Sequence, residues 1–199
     1  MISIEVKASK AYQVHIGSGL LPQLGERLRG VCQGSTAAIV SDSHVYPLYG
    51  EATEKSLKDA GFRVLNFVFP AGEESKNAET YLNLLNFLAE KEVTRTDCLV
   101  ALGGGVVGDL TGFAAATYLR GIDYIQVPTS VLAAVDSSVG GKTAINLEAG
   151  KNLVGAFYQP KGVLIDTDTL KTLSPRQIAN GFAEIAKMAA CFDAELFEK

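Results

Sequence analysis

The sequence predicts an α/β fold built on a mostly parallel sheet, opened by a β-hairpin and closed by the first helix of a second, helical unit. Three observations predict it. Short apolar runs alternate with amphipathic helical stretches along most of the 199 residues, the pattern of parallel strands joined by crossover helices. The glycine-rich segment Gly103-Gly104-Gly105-Val106-Val107-Gly108 follows one such apolar run and opens a helical one. Beyond residue 174 no further strand pattern occurs, and only helical periodicity remains.

Taken in order, Ile2, Ile4 and Val6 alternate with polar residues, and Tyr12, Val14 and Ile16 repeat the alternation, so the two runs read as a hairpin. Residues 37–40 form a short apolar strand ending in Ser41-Asp42, and residues 45–60 a helix stopped by Gly61. Residues 63–69 read as a strand. Ser75 precedes an amphipathic segment with Tyr81, Leu82, Leu85 and Leu88 at helical spacing. Residues 98–102 form a buried strand that runs into the glycines; a helix, a strand over 124–127, a loop and a strand over 162–165 follow. Ser174-Pro175-Arg176-Gln177 then supplies a capping serine, a proline at the first helical position and a glutamine three residues on. Ile178, Phe182, Ile185 and Ala189 trace one face of the helix that starts there. The expected division is a sheet domain over 1–172 and the truncated start of an all-helical domain over 173–199.

Composition narrows the function. With 18 Lys+Arg against 22 Asp+Glu the net charge is −4, which argues against a nucleic-acid partner. Cys32, Cys98 and Cys191 are widely spaced with no C-x-x-C pair, so reduced and mostly buried thiols in a cytoplasmic protein are expected. The amino terminus has no charged segment followed by an apolar one, so no signal peptide is expected. No apolar run reaches the roughly 18 residues of a membrane span.

Residues 103–108 satisfy G-x-G-x-x-G between a strand and a helix. Glycines there let the backbone approach a pyrophosphate, and the helix N-terminus presents free N–H groups to it. The domain is therefore expected to be Rossmann-like. Asp42, at a strand end, could accept from a ribose hydroxyl and repel the extra phosphate of NADP; as an isolated Asp it also reads as a turn residue. Unlike an ordinary Rossmann first unit, the acid precedes the glycine loop. Arg120, Lys142 and Lys151 sit among glycines and are read as loop cations after strands, where open α/β sheets bind ligands. Asp136, amid small residues, reads either as a catalytic carboxylate or as a helix cap. Glu184 and Lys187 lie on one helix face, and their spacing alone suggests a surface ion pair of little consequence.

Several segments together are more specific: Pro70-Ala71-Gly72-Glu73-Glu74-Ser75-Lys76, the glycine loop through Asp109, Pro128-Thr129-Ser130, residues 135–143, residues 150–157, and Gly181-Phe182-Ala183-Glu184-Ile185-Ala186-Lys187. They resemble the dehydroquinate synthase family, over essentially the whole chain but only the first half or so of a family member. The resemblance implies conversion of a seven-carbon sugar phosphate, 3-deoxy-arabino-heptulosonate 7-phosphate, into 3-dehydroquinate and phosphate on the way to chorismate. It implies NAD as hydride carrier and a zinc ion, for which cobalt could substitute, polarising the hydroxyl being oxidised.

By the same resemblance Asp42, Gly72, Glu73, Glu74, Ser75 and Lys76 would contact the adenosine half of NAD. Gly105, Val106, Val107, Gly108 and Asp109 would hold its pyrophosphate, and Thr129 and Ser130 its nicotinamide half. Ser130 stands where many relatives carry threonine, which keeps the hydroxyl. Lys142, Lys151 and the run Thr169, Leu170, Lys171, Thr172 would complete the cofactor and substrate wall. Asp136, Lys142 and Lys187 would act on the substrate. Lys151, Asn152 and Arg120 would bind its phosphate, Arg120 reaching in from the second subunit of a homodimer. Glu184 would be a zinc ligand. A catalytic zinc needs three protein ligands, and the family supplies two histidines from its later helical domain. This chain holds only His15 and His44, far upstream, so these residues alone are expected to be inactive or nearly so. Another sugar-phosphate cyclase, a metal-dependent polyol dehydrogenase and a non-enzymatic nucleotide-binding module stand as rival readings; the polyol enzyme would leave Arg120, Lys142 and Asn152 without a purpose.

Overall fold

A computed structural model describes residues 1–198; Lys199, the last residue of the expected helical unit, lies outside them. The expected hairpin forms from β1 (Ile2–Val6) and β2 (Tyr12–Gly17), with Ile2 opposite Ile16 and Val6 opposite Tyr12. β3 (Thr36–Asp42), β4 (Arg63–Phe69), β5 (Cys98–Gly103), β6 (Asp123–Pro128) and β9 (Gly162–Asp166) complete a seven-stranded sheet of order β1-β2-β9-β6-β5-β3-β4. Every pairing except β1 with β2 is parallel. All six residues of β5 are buried, as expected of a central parallel strand covered on both faces. The architecture is Rossmann-like.

α1 (Leu24–Arg29) and α2 (Tyr46–Asp59) cover one face of the sheet, packing Leu24, Leu28 and Leu57 on Ile39, Val100 and Leu102. α3 (Ala78–Glu90) and α4 (Gly105–Thr117) cover the other, with Leu84, Leu88 and Leu110 against Val40, Leu99 and Tyr124. Each of these fully buried leucines contributes about 2 kcal/mol before chain entropy is set against it. α3 starts later than the position of Ser75 suggests. Asn77 caps it, accepting from Thr80 N–H at 2.9 Å, while the Ser75 hydroxyl donates to the Pro70 carbonyl at 2.5 Å.

One element was not foreseen. Where the sequence reads as a loop between residues 128 and 161, β7 (Lys142–Leu147) and β8 (Gly150–Phe157) form an antiparallel hairpin lying on α4. It explains why α4 is buried nearly all round, at Val107, Leu110, Thr111, Phe113, Ala114 and Ala115. Thr143 and Ile145 point inward at alternate positions. Gly155 is required there, because a Cβ would lie 2.0 Å from the Thr143 carbonyl oxygen.

Past the sheet, α5 (Pro175–Phe192) begins with the expected capping box: Ser174 N–H donates to Gln177 Oε1 at 2.9 Å, and Gln177 N–H returns to Ser174 Oγ. α5 docks where Gly181 meets Val131, a contact with no room for a Cβ, and a short α6 (Ala194–Phe197) follows. No helix among the described residues is long and apolar enough to cross a membrane.

Candidate functional site

The site grows from the carboxyl ends of β5, β6 and β3. β5 ends at Gly103, and Gly104 caps α4 with no side-chain hydrogen bond, so the first-turn amides remain available to an anion. Thr129 N–H donates to the Gly103 carbonyl at 3.0 Å, which brings Thr129 and Ser130 beside the glycine turn. A cleft of about 440 Å³ runs from here past Asp42, Gly72 and Thr172. A Cβ on Gly105 would stand 3.1 Å from Ser137 Oγ, so the glycine lets the turn carrying Ser137 pack closely on the start of α4. These groups fit a nucleotide pyrophosphate.

Asp42 performs the turn role its position suggested. Its Oδ1 accepts from the backbone N–H of His44 at 2.8 Å and of Val45 at 2.9 Å. Oδ2 accepts from no described residue and belongs to a side chain lining the cleft.

On the other side of α4 lies a second cavity of about 470 Å³, lined by Asp109, Asp136, Lys142, Asn152 and Phe157. Asp136 sits on a wide helical turn, Ala133–Ser137, directly before the hairpin. Gly140 and Gly141, both at positive φ (94° and 71°), turn the chain into β7. The Tyr12 hydroxyl accepts from Gly140 N–H at 3.1 Å and the Gly141 carbonyl from Tyr158 N–H at 2.8 Å. The N-terminal hairpin thus braces the turn that delivers Lys142.

The hairpin's ladder is irregular where it meets the cavity. Ile145 pairs with Val154, but Leu147 pairs with Gly150, so Lys151, Asn152 and Leu153 oppose Asn146 alone. Such a bulge takes residues out of the ladder and re-aims their side chains. Asn152 adopts a left-handed conformation, φ 57°, unusual for a residue other than glycine.

A charged chain runs from the second cavity to the loop before α3. Lys76 Nζ donates to Asp109 Oδ2 at 2.7 Å and stands 3.9 Å from Glu73 Oε1, which in turn lies 3.8 Å from Lys151 Nζ. Burial pushes the Asp109 carboxyl above its ordinary range, and the Lys76 ammonium only partly offsets this.

The remaining expected residues fall into distinct places. Gly72 has φ 128°, and Glu74 is exposed. Val107 packs its side chain in the core, so it can offer a ligand only its backbone. Thr169 is buried with its hydroxyl donating to the Asp166 carbonyl, and Lys171 pairs with Asp168 at 2.7 Å. Leu170 is half-buried. Thr172 lines the cleft, held by the Tyr49 hydroxyl at 2.6 Å. The reading of three loop cations after strands needs correction. Lys142 and Lys151 belong to the strands of the hairpin, and Arg120 follows a helix. Arg120 sits at the far end of α4, about 20 Å along its axis from the glycine turn, so its own chain does not bring it to either cavity. The sequence marks Tyr12 only as a strand residue and does not single out Asn146 or Tyr49.

On α5, Glu184 and Lys187 form an ion pair, which raises the Lys187 pKa through the hydrogen bond to Glu184. Among the described residues no group of three or more His, Cys, Asp or Glu side chains gathers to hold a metal. His15 is on β2, hydrogen-bonded to Ser3 at 2.8 Å, and His44 follows β3 and lines the cleft beside Asp42. Glu184 therefore belongs to no three-ligand group among the described residues, which do not fit a complete zinc site.

Comparison with known proteins adds the chemistry of relatives. Residues 66–180 match the family model described as 3-dehydroquinate synthase N-terminal. A 3-dehydroquinate synthase from Enterococcus faecalis is 53% identical over 189 residues, covering 95% of this chain and 53% of the relative. A crystal structure of 2-deoxy-scyllo-inosose synthase, complexed with carbaglucose-6-phosphate, NAD+ and Co2+, superposes with a TM-score of 0.87 at 32% identity, over 94% of this chain and 50% of that one. A 2-epi-5-epi-valiolone synthase from Streptomyces hygroscopicus with NAD+ and Zn2+ bound gives 0.86 at 32% identity, over 98% and 54%. The chain spans about half the length of the curated relatives it matches.

Proposed function

The chain belongs to the 3-dehydroquinate synthase family, and on that premise we propose that it forms the NAD-binding half of an enzyme making 3-dehydroquinate and phosphate from 3-deoxy-arabino-heptulosonate 7-phosphate. The observation that carries this reading is the pairing of two cavities across α4. One is lined by the glycine turn, Thr129 and Asp42, the other by Asp136, Lys142 and Asn152.

Bound NAD would supply a reversible hydride acceptor. The residues of this chain do the rest of what is assigned here. The α4 amides hold the pyrophosphate, and the free oxygen of Asp42 accepts from a ribose hydroxyl. Asp136 accepts hydrogen bonds from the reacting hydroxyls and keeps them oriented. Lys142, Lys151 and Asn152 present donors to the substrate phosphate, so that charge leaving with it meets groups already in place. Lys187 faces the substrate from α5. Arg120, carried away from its own cleft, is assigned to the phosphate site of a second copy in a homodimer. The family's zinc or cobalt would draw one ligand, Glu184, from this chain. One ligand does not complete a catalytic zinc site, so the described residues alone carry no turnover. The protein is assigned to the cytoplasm.

Calorimetric titration tests the reading. The chain is expected to bind NAD at one site, NADP more weakly, and neither after Gly105→Val, while its circular dichroism stays that of the parent. A folded chain that binds no NAD would overturn the cofactor assignment. A family-length form that binds NAD yet releases no phosphate from the sugar phosphate would overturn the substrate.

A further inference from the structure

Asn146 ties the loop before α3 to the β7–β8 hairpin, although nothing in its sequence context marks it. Its backbone N–H donates to the Lys76 carbonyl at 2.8 Å. Its Nδ2 donates to Glu73 Oε1 at 2.8 Å, and its Oδ1 accepts from Asn152 N–H at 2.9 Å. One amide side chain therefore spans the loop before α3 and the bulge of β8. The bulge removes Asn152 from the ladder, and the orphaned N–H finds its acceptor in Asn146. That bond holds Asn152 at φ 57°, a left-handed conformation that its surroundings must fix.

We infer that Asn146 is a positioning residue: it sets Asn152 in its left-handed, cavity-facing conformation and links that conformation to Glu73 in the cofactor loop. The role at Asn152 is read from geometry; its consequence for catalysis rests on the proposed function. Because the same side chain bonds to both walls, order imposed on Glu73 by a nucleotide favours the Asn152 conformation, and the reverse holds equally. Asn146 touches neither ligand itself. Its chemistry is specific, since the position needs a donor towards Glu73 and an acceptor towards Asn152. An aspartate keeps only the acceptor and sets a second carboxylate against Glu73.

The tether is read first on the 199-residue chain, without activity. Amide hydrogen exchange at Asn152 should quicken about fivefold in Asn146→Ala, the equivalent of one ordinary hydrogen bond, and stay near the parent rate in Asn146→Asp. Unchanged exchange in Asn146→Ala overturns the inference whatever the protein catalyses. The consequence is read in a family-length enzyme. Asn146→Ala should raise KM for the sugar phosphate about tenfold with kcat within about threefold. Asn146→Asp should weaken NAD binding more than phosphate binding. A fall in kcat alone, or NAD affinity unchanged in Asn146→Asp, would overturn the coupling. Failure of the parent enzyme to turn over the sugar phosphate would instead count against the proposed reaction, leaving the exchange result to decide the tether.

Discussion

Lys76 and Asp109, 33 positions apart, meet at 2.7 Å and fasten the loop after β4 to the first turns of α4. The Lys76 side chain is 5% exposed and that of Asp109 18%. Removing one partner of so enclosed a pair leaves the other charge without compensation, at a cost of about 3–5 kcal/mol. Lys76→Met should therefore unfold well below the parent temperature. The pH dependence has a definite sign. Burial already raises the Asp109 pKa in the folded chain, with Lys76 opposing, so the folded state holds this proton more tightly than the unfolded one. Ionising Asp109 then costs stability as pH rises from the ordinary carboxylate range through its folded value. Without Lys76 the cost grows. Thermal unfolding should show the deficit of Lys76→Met largest at neutral pH and shrinking in acid; a pH-independent deficit would contradict it.

Asp97 gives the opposite sign at the opposite end of the sheet. Burial alone would raise its pKa, but donors outweigh it: Thr94 N–H at 2.7 Å, the Thr94 hydroxyl at 2.8 Å and Thr36 N–H at 2.8 Å hold the carboxyl below its usual range. Its stabilisation is thus present at neutral pH and lost as pH falls through the lowered folded value. Asp97→Ala should cost on the order of 3 kcal/mol, mostly from buried N–H groups left unpaired. Its denaturation midpoint should fall while NAD affinity of the folded fraction is unchanged, because Asp97 lines neither cavity of the site.

Asp42 separates a folding role from a recognition role within one side chain. Oδ1 holds the turn before α2 by accepting from His44 and Val45 N–H, and an asparagine oxygen can do the same. Asp42→Asn should therefore leave the melting temperature within about a degree or two. It removes the negative charge that would repel the extra phosphate of NADP. Paired titrations should show the preference for NAD over NADP falling about tenfold, the equivalent of about 1.4 kcal/mol. An unchanged ratio would mean that Asp42 serves the turn alone.

These two ends of the site differ in how far the sequence exposes them. Cys98–Gly103 and the glycines after it are legible because a doubly covered parallel strand is a continuous apolar run and a phosphate turn needs glycine at fixed spacing. The capping box of Ser174 is legible because all its partners lie within four residues. Asn146 and Glu73 are 73 positions apart, and Tyr49 and Thr172 are 123 apart; no local pattern joins such pairs. The β7–β8 hairpin escaped for another reason. Lys142, Asn146, Lys151 and Asn152 interrupt its strand pattern, and the surface it packs on is a helix rather than the sheet. Arg120 was misplaced because glycine neighbours suggest a loop without saying which end of the sheet it serves.

The hairpin also supplies a sharp test of the packing that shapes the second cavity. A Cβ on Gly155 would meet the Thr143 carbonyl oxygen at 2.0 Å and the Ala144 Cα at 2.8 Å. Both are backbone atoms of the partner strand, so neither can rotate away, and Gly155→Val must part the strands. Parting them uncovers the outer face of α4, where Phe113 and Ala114 are buried. The loss should be about 3 kcal/mol or more, beyond ordinary surface substitutions. Gly150→Ala is the matched control. Its Cβ would meet only the Leu153 side chain, nearest at Cδ1, 3.3 Å away; that exposed side chain can turn aside, and the cost should stay under about 1 kcal/mol. Urea denaturation of the two variants distinguishes them. Equal midpoints would mean that β7 and β8 are not closely paired where they lie on α4.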